Sequence, residues 1–439
     1  MGLLTFKGGI HPYDGKDLSK EKPIKSIQPK EELVYLTSQH IGAPAKPVVE
    51  KGDRVLVGQK IAEAGGFVSA PVHASVSGTV KGIEKRMNVT GGFGDAIVVE
   101  NDFQYEEVEY APLKSLEGVE KADIIKRIQE GGVVGMGGAG FPTHVKLSPK
   151  EPDKMEYVLV NGAECEPYLT SDYRRMLENP EWVVGGLRCI LKLFDNAKGY
   201  ICIEANKMDC VAKMEELVKN EPRMEVKVLK TKYPQGAERS LIYATTHREV
   251  NSSMLPADAG CVVDNIDTVV AVYKAVMEGS PLMQRIVTVT GDAIKDPRNF
   301  AVRTGSNYAD IIDEAGGFVS QPEKIISGGP MMGFGLYDLN VPVTKTSSAL
   351  LCLLHDDVAA MPESSCINCG RCVAGCPAHL VPSQLATFSN HYDEEKFLKF
   401  DGMECCECGC CSFSCPAKRP LTQSIKSMRR TILANRRKK

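Results

Sequence analysis

The sequence predicts a multidomain chain of mixed α/β and α+β class that ends in a helical, metal-binding segment. Three observations carry this reading. The 439 residues exceed what one hydrophobic core ordinarily serves, so about three domains are expected. Glycine-punctuated strand patterns fill residues 31–100, and helical and strand patterns alternate from residue 118 onward. Ten of the sixteen cysteines crowd between positions 366 and 415.

Apolar residues make up 43% of the chain and charged residues 25%, the proportions of an ordinary globular protein. A net charge of −3 gives no nucleic-acid signature. The opening MGLLTFKGGIHPYDGK has no apolar core of signal-peptide length, and no stretch reaches the ~20 apolar residues of a membrane span. The expectation is a chain soluble by itself, with any membrane role arising through partners.

Residues 1–30 are polar and read as an extended arm, with His11 a packed or surface residue rather than a ligand. In residues 31–100, Val55 and Val57 alternate with polar neighbours, as do Val76 and Val80 around Gly78, at the period of half-buried strands. Residues 118–250 are expected to form an α/β domain. A helix over 121–130 leads into a glycine-rich loop at 131–142, followed by strands at 157–160, 200–204 and 226–230 and a helix over 208–219. Residues 251–345 open with a helix over 265–277, continue with the strand RIVTVTG and read as a small α+β module. Its second glycine turn, Gly328–Gly333, is explained by turn geometry without a ligand. Residues 346–425 hold the cysteines, with a helical stretch between the two runs for which Ser383 is the candidate N-cap. Residues 426–439 form a basic tail, read as a solvated helix end or terminus rather than a surface for anionic partners.

The eight spaced cysteines fall into two copies of C-x2-C-x2-C-x3-C-P: Cys366, Cys369, Cys372, Cys376 before Pro377, and Cys405, Cys408, Cys411, Cys415 before Pro416. This is the spacing of bacterial two-cluster ferredoxins, in which the fourth cysteine of each run serves the other cluster. One [4Fe-4S] cluster is therefore assigned to Cys366, Cys369, Cys372 and Cys415, and a second to Cys405, Cys408, Cys411 and Cys376. Structural zinc ordinarily takes paired CxxC motifs, and disulfides need an oxidising compartment, so both are the weaker readings. Cys406 and Cys410 lie off the spacing and are expected to be non-ligands beside the cluster.

Small side chains in the 131–142 loop leave backbone N–H groups free to approach phosphate oxygens, yet the loop follows a helix rather than the strand of a Rossmann fingerprint. Its sequence is more telling. The run GMGGAGFPTHVKL followed by NGAECEP closely resembles the flavin and NADH site of the respiratory complex I flavoprotein, where GRGGAGFPTGLKW precedes NADESEP. The resemblance implies that Gly135, Gly137, Gly138 and Gly140 line FMN and that Lys146 reaches it as a cationic donor. It implies that Phe141 stacks on the nicotinamide nucleotide and that Asn161 hydrogen-bonds the flavin. Glu164 and Glu166 would sit near the isoalloxazine and the nucleotide. The segments YPQGAERSL and VVDNIDT resemble two further motifs of the family, adding Tyr233, Gly236, Glu238, Asn265 and, less directly, Asp264. Met136 and Ala163 replace an arginine and an aspartate of that pattern, and Ala237 replaces the first acid of its acidic pair. Cys165 is read as a small packing residue.

The stretch 31–100 resembles the barrel-sandwich fold of lipoyl and biotinyl carrier domains, but its tip, Ala62 to Val68, has no modifiable lysine. Taken in order, the parts are the arm, the barrel-sandwich hybrid, the complex-I-like flavin domain, the SLBB-like module and the helical two-cluster ferredoxin domain. That order resembles the RnfC family, whose members are subunits of the Rnf electron-transport complexes. The resemblance implies an NAD(H)-reacting, peripheral subunit at the cytoplasmic face of the cell membrane. Its cofactors would be FMN and two [4Fe-4S] clusters. Its partners would be integral membrane subunits, an iron–sulfur subunit and, indirectly, ferredoxin, with no nucleic acid. It further implies a translocase coupling ferredoxin and NAD to Na+ or H+ movement, electrons passing through the flavin with no separate catalytic acid or base. Two rival readings are a cobalamin reductase, whose family places its barrel late, and an electron-relay adapter without flavin.

Overall fold

In the computed structural model, residues 3–438 are described, with side chains through Arg436. At the centre lies a four-stranded parallel sheet in the order Met224–Leu229, Lys198–Glu204, Tyr157–Gly162, Cys261–Asn265. Parallel neighbours require crossovers, and the helices Pro180–Leu191, Met208–Val218 and Ile266–Tyr273 supply cover for its faces. Val158, Leu159 and Val160 are all fully buried, as expected of a strand enclosed on both sides. The helix before the glycine loop spans Lys121–Glu130, as its periodicity predicts.

The strand Cys261–Asn265 and the helix after it correct the expected boundary at 251. Both belong to the parallel sheet, because the apolar run at 261–263 pairs with Tyr157–Leu159. The helix expected over 265–277 is α-helical from Ile266 to Tyr273 and ends in a wider π turn, Lys274–Glu278. Asn265 is its N-cap, accepting a hydrogen bond from the Asp267 N–H.

The glycine-punctuated region folds as two small sheets around one core. One comprises Glu32–Leu36, Phe93–Asn101, Gly78–Met87 and Arg54–Val55, the other Lys46–Pro47, Lys60–Glu63 and Val72–His73. Leu33, Val55, Ile61, Val76, Val80 and Ile97 fill the space between them. A third, six-stranded sheet takes Arg298–Arg303, Gln284–Thr290, Lys324–Ser327 and Phe334–Leu336 from the expected module, and two strands from outside it. Lys25–Ser26 comes from the arm and Ala349–Leu353 from beyond residue 345, so both expected boundaries shift. ALLCL is fully apolar and pairs on both edges, which places it inside a sheet rather than in the cysteine region.

The cysteine region is helical. Pro382–Asn390 begins with Pro382 at its first position and Val381 as N-cap, so Ser383 lies inside the helix rather than capping it. Proline suits that position because its missing N–H would have no partner there. The basic tail is not separate. A single helix, Leu421–Lys438, buries Ile425, Met428 and Ile432 against Leu385 and Phe397, and its Arg429 and Lys426 pair with Glu407. Among the described residues no helix is long and apolar enough to cross a membrane.

Nor is the arm free. Leu4 bridges Leu229, Ile10 bridges Tyr233, and Lys16 is buried in the central domain.

Candidate functional site

Asn161 and Asn265 end the two middle-to-edge strands at the point where the sheet order reverses, the place where open parallel sheets form a ligand crevice. The glycine loop meets them there. Its base is closed by the Gly135 N–H donating to the Phe141 carbonyl at 2.8 Å. Gly137 and Gly140 have φ of 82° and 73°, a region only glycine occupies without strain. A Cβ on Gly137 would lie 3.2 Å from Asn265 Nδ2, whereas one on Gly138 would meet nothing within 4 Å. The loop therefore backs onto Asn265 and turns a bare backbone face to open space. Phe141, at its far end, is half-buried.

Met136 points away from that face. Its side chain is buried in the core and its N–H donates to Thr268 Oγ1 at 2.8 Å, so an apolar residue fits where the complex I pattern has arginine. Ala163 is likewise buried, and Lys207 Nζ donates to its carbonyl at 2.7 Å.

Lys146 donates to the Val263 carbonyl at 2.7 Å and to Asp264 Oδ1 at 3.1 Å. Burial works against its charge, but Asp264 and Glu238 outweigh that and raise its pKa, so the ammonium persists. The second carboxylate oxygen, Asp264 Oδ2, is buried without a hydrogen-bond partner. Glu238 opens the helix Glu238–Thr246, and burial raises its pKa.

Asn161 ties the strand end to the 233–238 segment, its Nδ2 donating to the Gly236 carbonyl at 2.8 Å. Gly236 in turn donates its N–H to Cys165 Sγ at 3.2 Å, which makes Cys165 a packed acceptor. The two glutamates of the motif turn inward. Glu164, at φ 46°, accepts from the Asp172 N–H at 2.7 Å and so caps the helix Ser171–Glu178. Glu166 Oε1 accepts from the N–H groups of Met331 and Met332 at 2.7 and 3.1 Å, so the second glycine turn closes on a carboxylate. Tyr233 reaches furthest from the loop, its hydroxyl donating to the Cys408 carbonyl at 2.7 Å.

Two residues at this site carry no sequence signal. Lys16 enters from the arm and donates to the carbonyls of Glu164, Glu166 and Leu169 at 2.9, 3.1 and 2.5 Å. Asp172 lies behind Asn265, accepting from its Nδ2 at 2.6 Å, and burial beside Glu164 and Asp267 pushes its pKa up to about 8.

The cysteines divide as the crossed assignment requires. One cavity, enclosing about 340 Å³ of empty space, is lined by Cys376 together with Cys405, Cys408 and Cys411, and also by Cys406 and Cys410. Cys372 and Cys415 pack with Cys411 around Ala386 and Leu421, while Cys366 and Cys369 are exposed. Among the described residues no three His, Cys, Asp or Glu side chains are drawn to ligating distance. The donor set nevertheless suits iron–sulfur chemistry: four thiols from two loops on one apolar cavity, with no carboxylate or imidazole among its lining residues.

Three domain families match the chain: the RnfC barrel sandwich hybrid domain over residues 4–104, the Nuo51 FMN-binding domain over 128–274 and the SLBB domain over 286–335. The chain is 45% identical to the RnfC subunit of the Na(+)-translocating ferredoxin:NAD(+) oxidoreductase complex of Acetobacterium woodii, over 99% of this chain and 98% of that one. It is 47% identical to the RnfC subunit of the proton-translocating ferredoxin:NAD(+) oxidoreductase complex of Clostridium ljungdahlii, over 90% and 87%. The corresponding subunit of an ion-translocating oxidoreductase complex of Pseudomonas aeruginosa is 37% identical, over 90% of this chain and 51% of its own longer length. Among solved structures, a chain of an NAD+-reducing [NiFe]-hydrogenase in the air-oxidized state shares the fold. It has a TM-score of 0.50 at 18% identity, covering 64% of this chain and 54% of the other. The domain at 128–274 thus begins before the glycine loop and ends after the helix from Asn265, as the parallel sheet does. With near-complete coverage at 45% identity, the chain belongs to the RnfC family, the subunits of ion-translocating ferredoxin:NAD+ oxidoreductase complexes that open on this barrel sandwich hybrid domain.

Proposed function

We propose that this chain is the NAD(H)-reacting electron-transfer subunit of a membrane-bound complex that couples ferredoxin:NAD+ oxidoreduction to Na+ or H+ translocation. It would act peripherally, at the cytoplasmic face, held there by the integral and iron–sulfur subunits of the complex. The observation that carries the reading is the contact between Tyr233 and Cys408, which joins the crevice at the glycine loop directly to a cavity lined by four thiols.

FMN, when bound, supplies the exchange between two-electron hydride chemistry and single electrons, and the two [4Fe-4S] clusters supply single-electron carriage. The chain's residues do the rest. Gly137 and Gly138 offer backbone N–H groups and an open face at which a flavin phosphate and ring can lie. Lys146 stays cationic beside Asp264 and is suited to hold an anionic or carbonyl group. Asn161 and Asn265 fix the strand ends on either side of the crevice. Phe141 stands at the rim, where a nicotinamide ring can stack. Glu164 and Glu166 act through shape, the first by capping a helix and the second by holding the Met331–Met332 turn. Cys376, Cys405, Cys408 and Cys411 would hold the inner cluster, and Cys366, Cys369, Cys372 and Cys415 the outer one. The exposure of Cys366 and Cys369 favours the outer cluster as the point of exchange with a partner subunit.

An early barrel at residues 4–104 speaks against the cobalamin-reductase reading, and the inward burial of Met136 and Ala163 removes the main support for a flavin-free adapter. Anaerobic reconstitution of the full chain with FMN, iron and sulfide tests the proposal. Retention of FMN and two clusters, without reduction of cob(II)alamin, is expected. A chain that holds clusters but no flavin would contradict it.

A further inference from the structure

The two cysteine loops are near-copies in backbone as well as in sequence. In the first, Asn368 and Gly370 flank Cys369 at φ 54° and 74°; in the second, Glu407 and Gly409 flank Cys408 at φ 58° and 83°. A non-glycine residue in the left-handed region costs energy unless its surroundings hold it. Those surroundings differ. The first loop exposes Cys366 and Cys369, whereas the second is gripped from outside its own domain.

Two groups do the gripping. The Tyr233 hydroxyl donates to the Cys408 carbonyl at 2.7 Å. The arm pairs with Tyr233 through both backbone groups, Ile10 N–H to Tyr233 O at 2.8 Å and Tyr233 N–H to Ile10 O at 2.9 Å. One residue earlier, the Gly9 N–H donates to the carbonyl of Gly375, the neighbour of Cys376, at 3.1 Å. Lys232 Nζ holds the arm from the other side, donating to the Gly8 carbonyl at 2.8 Å. The fit leaves no spare room. Gly8 has φ +77°, and a Cβ there would lie 2.6 Å from the Cys376 carbonyl oxygen. Among the described hydrogen bonds of the arm, the one to Gly375 reaches the cysteine domain and none reaches residues 366–372 or Cys415.

We infer that Gly8, Gly9 and Tyr233 form a clamp that positions the loops carrying Cys376 and Cys408, so that the inner cluster assembles against the flavin-type domain and takes its properties from that contact. These are positioning residues; none is a ligand. The inference rests on the proposed cluster ligation and adds that an arm more than 360 residues away in sequence governs one cluster and not its twin.

The test uses the full chain reconstituted anaerobically with iron and sulfide, read by iron content, flavin content and electron paramagnetic resonance of the reduced protein. Cys408→Ser identifies the inner-cluster signal by its loss. Tyr233→Phe, which removes only the hydroxyl, is expected to keep both signals while shifting the midpoint potential and g-values of the Cys408-dependent one alone. Gly8→Ala is expected to lose that signal selectively, with iron falling to about half and flavin retained. If the wild-type chain takes up two clusters and both variants leave the Cys408-dependent signal unchanged, or lose both signals equally, the clamp is overturned and the ligation stands. If the wild-type chain takes up no cluster, the ligation reading and the clamp fall together.

Discussion

Replacing Lys16 by methionine removes a buried cation of nearly the same shape from beneath the NGAECEP segment. Lys16 is 6% exposed, and its ammonium satisfies three carbonyls, those of Glu164, Glu166 and Leu169. Its carboxylate partner is distant, at 4.0 Å to Glu164 Oε2, so the loss is chiefly of hydrogen bonds to backbone. Three charge-assisted bonds at about 1.5 kcal/mol each come to about 4.5 kcal/mol, and relief of the cation's burial returns part of that. A net local destabilisation of about 2–3 kcal/mol follows, or roughly 30- to 150-fold faster opening of the segment. Hydrogen exchange of the peptides covering 163–172 measures this directly, free of the multi-step unfolding expected of a chain with several domains. Flavin retention should weaken in parallel, because Asn161 and Gly236 lean on the same segment. Exchange within threefold of wild type would refute the assignment of Lys16 as the support of this loop.

Asp172 titrates in a range that physiological buffers reach. Its pKa rises from 3.8 to about 8, so between those values the folded chain holds a proton that the unfolded chain has released, and stability falls as pH rises. Asp172→Asn should flatten that decline in thermal scans from pH 5 to 8 while keeping an oxygen for Asn265, and an unchanged slope would contradict it. Gly138→Ala should leave folding within about 0.5 kcal/mol of wild type, since a Cβ there meets nothing within 4 Å. Flavin affinity should nonetheless drop by about tenfold or more, measured by fluorescence quenching, if that open space is where the ring or phosphate lies. Ile432→Asp places a charge at a fully buried position against the helix Pro382–Asn390 and should cost about 4 kcal/mol or more. Proteolysis within residues 371–438 reports the loss.

Much of this architecture was legible because the relevant signals are local. Val158–Val160 and Tyr200–Glu204 read as buried strands, since parallel strands covered on both faces are apolar runs. The cysteine spacing is itself the chemistry, and the lining of one cavity by Cys376 with Cys405, Cys408 and Cys411 follows its crossed logic. What escaped is non-local. ALLCL at 349–353 looks like a linker beside the cysteines until Thr288–Thr290 and Lys324–Ser327 are found on its two edges. Lys16 sits in a polar arm without periodicity, and only the fold brings it to carbonyls more than 145 residues away. A motif match names Glu164 and Glu166 without saying which way they point; their partners, the Asp172 N–H and the Met331–Met332 turn, lie in other elements. Tyr233 was expected at the flavin, and its hydroxyl is spent on Cys408, 175 residues along the chain.

The central claim is that electrons pass between the glycine-loop crevice and the cysteine domain through the junction at Tyr233 and Cys408. Rapid mixing of the anaerobically reconstituted full chain with NADH, followed by absorbance and by freeze-quenched paramagnetic resonance, tests it most directly. Flavin bleaching is expected first, then reduction of the Cys408-dependent cluster, then of the cluster held by Cys366, Cys369, Cys372 and Cys415. Reduction of the outer cluster ahead of the inner one, or of either cluster in protein stripped of flavin, would contradict it.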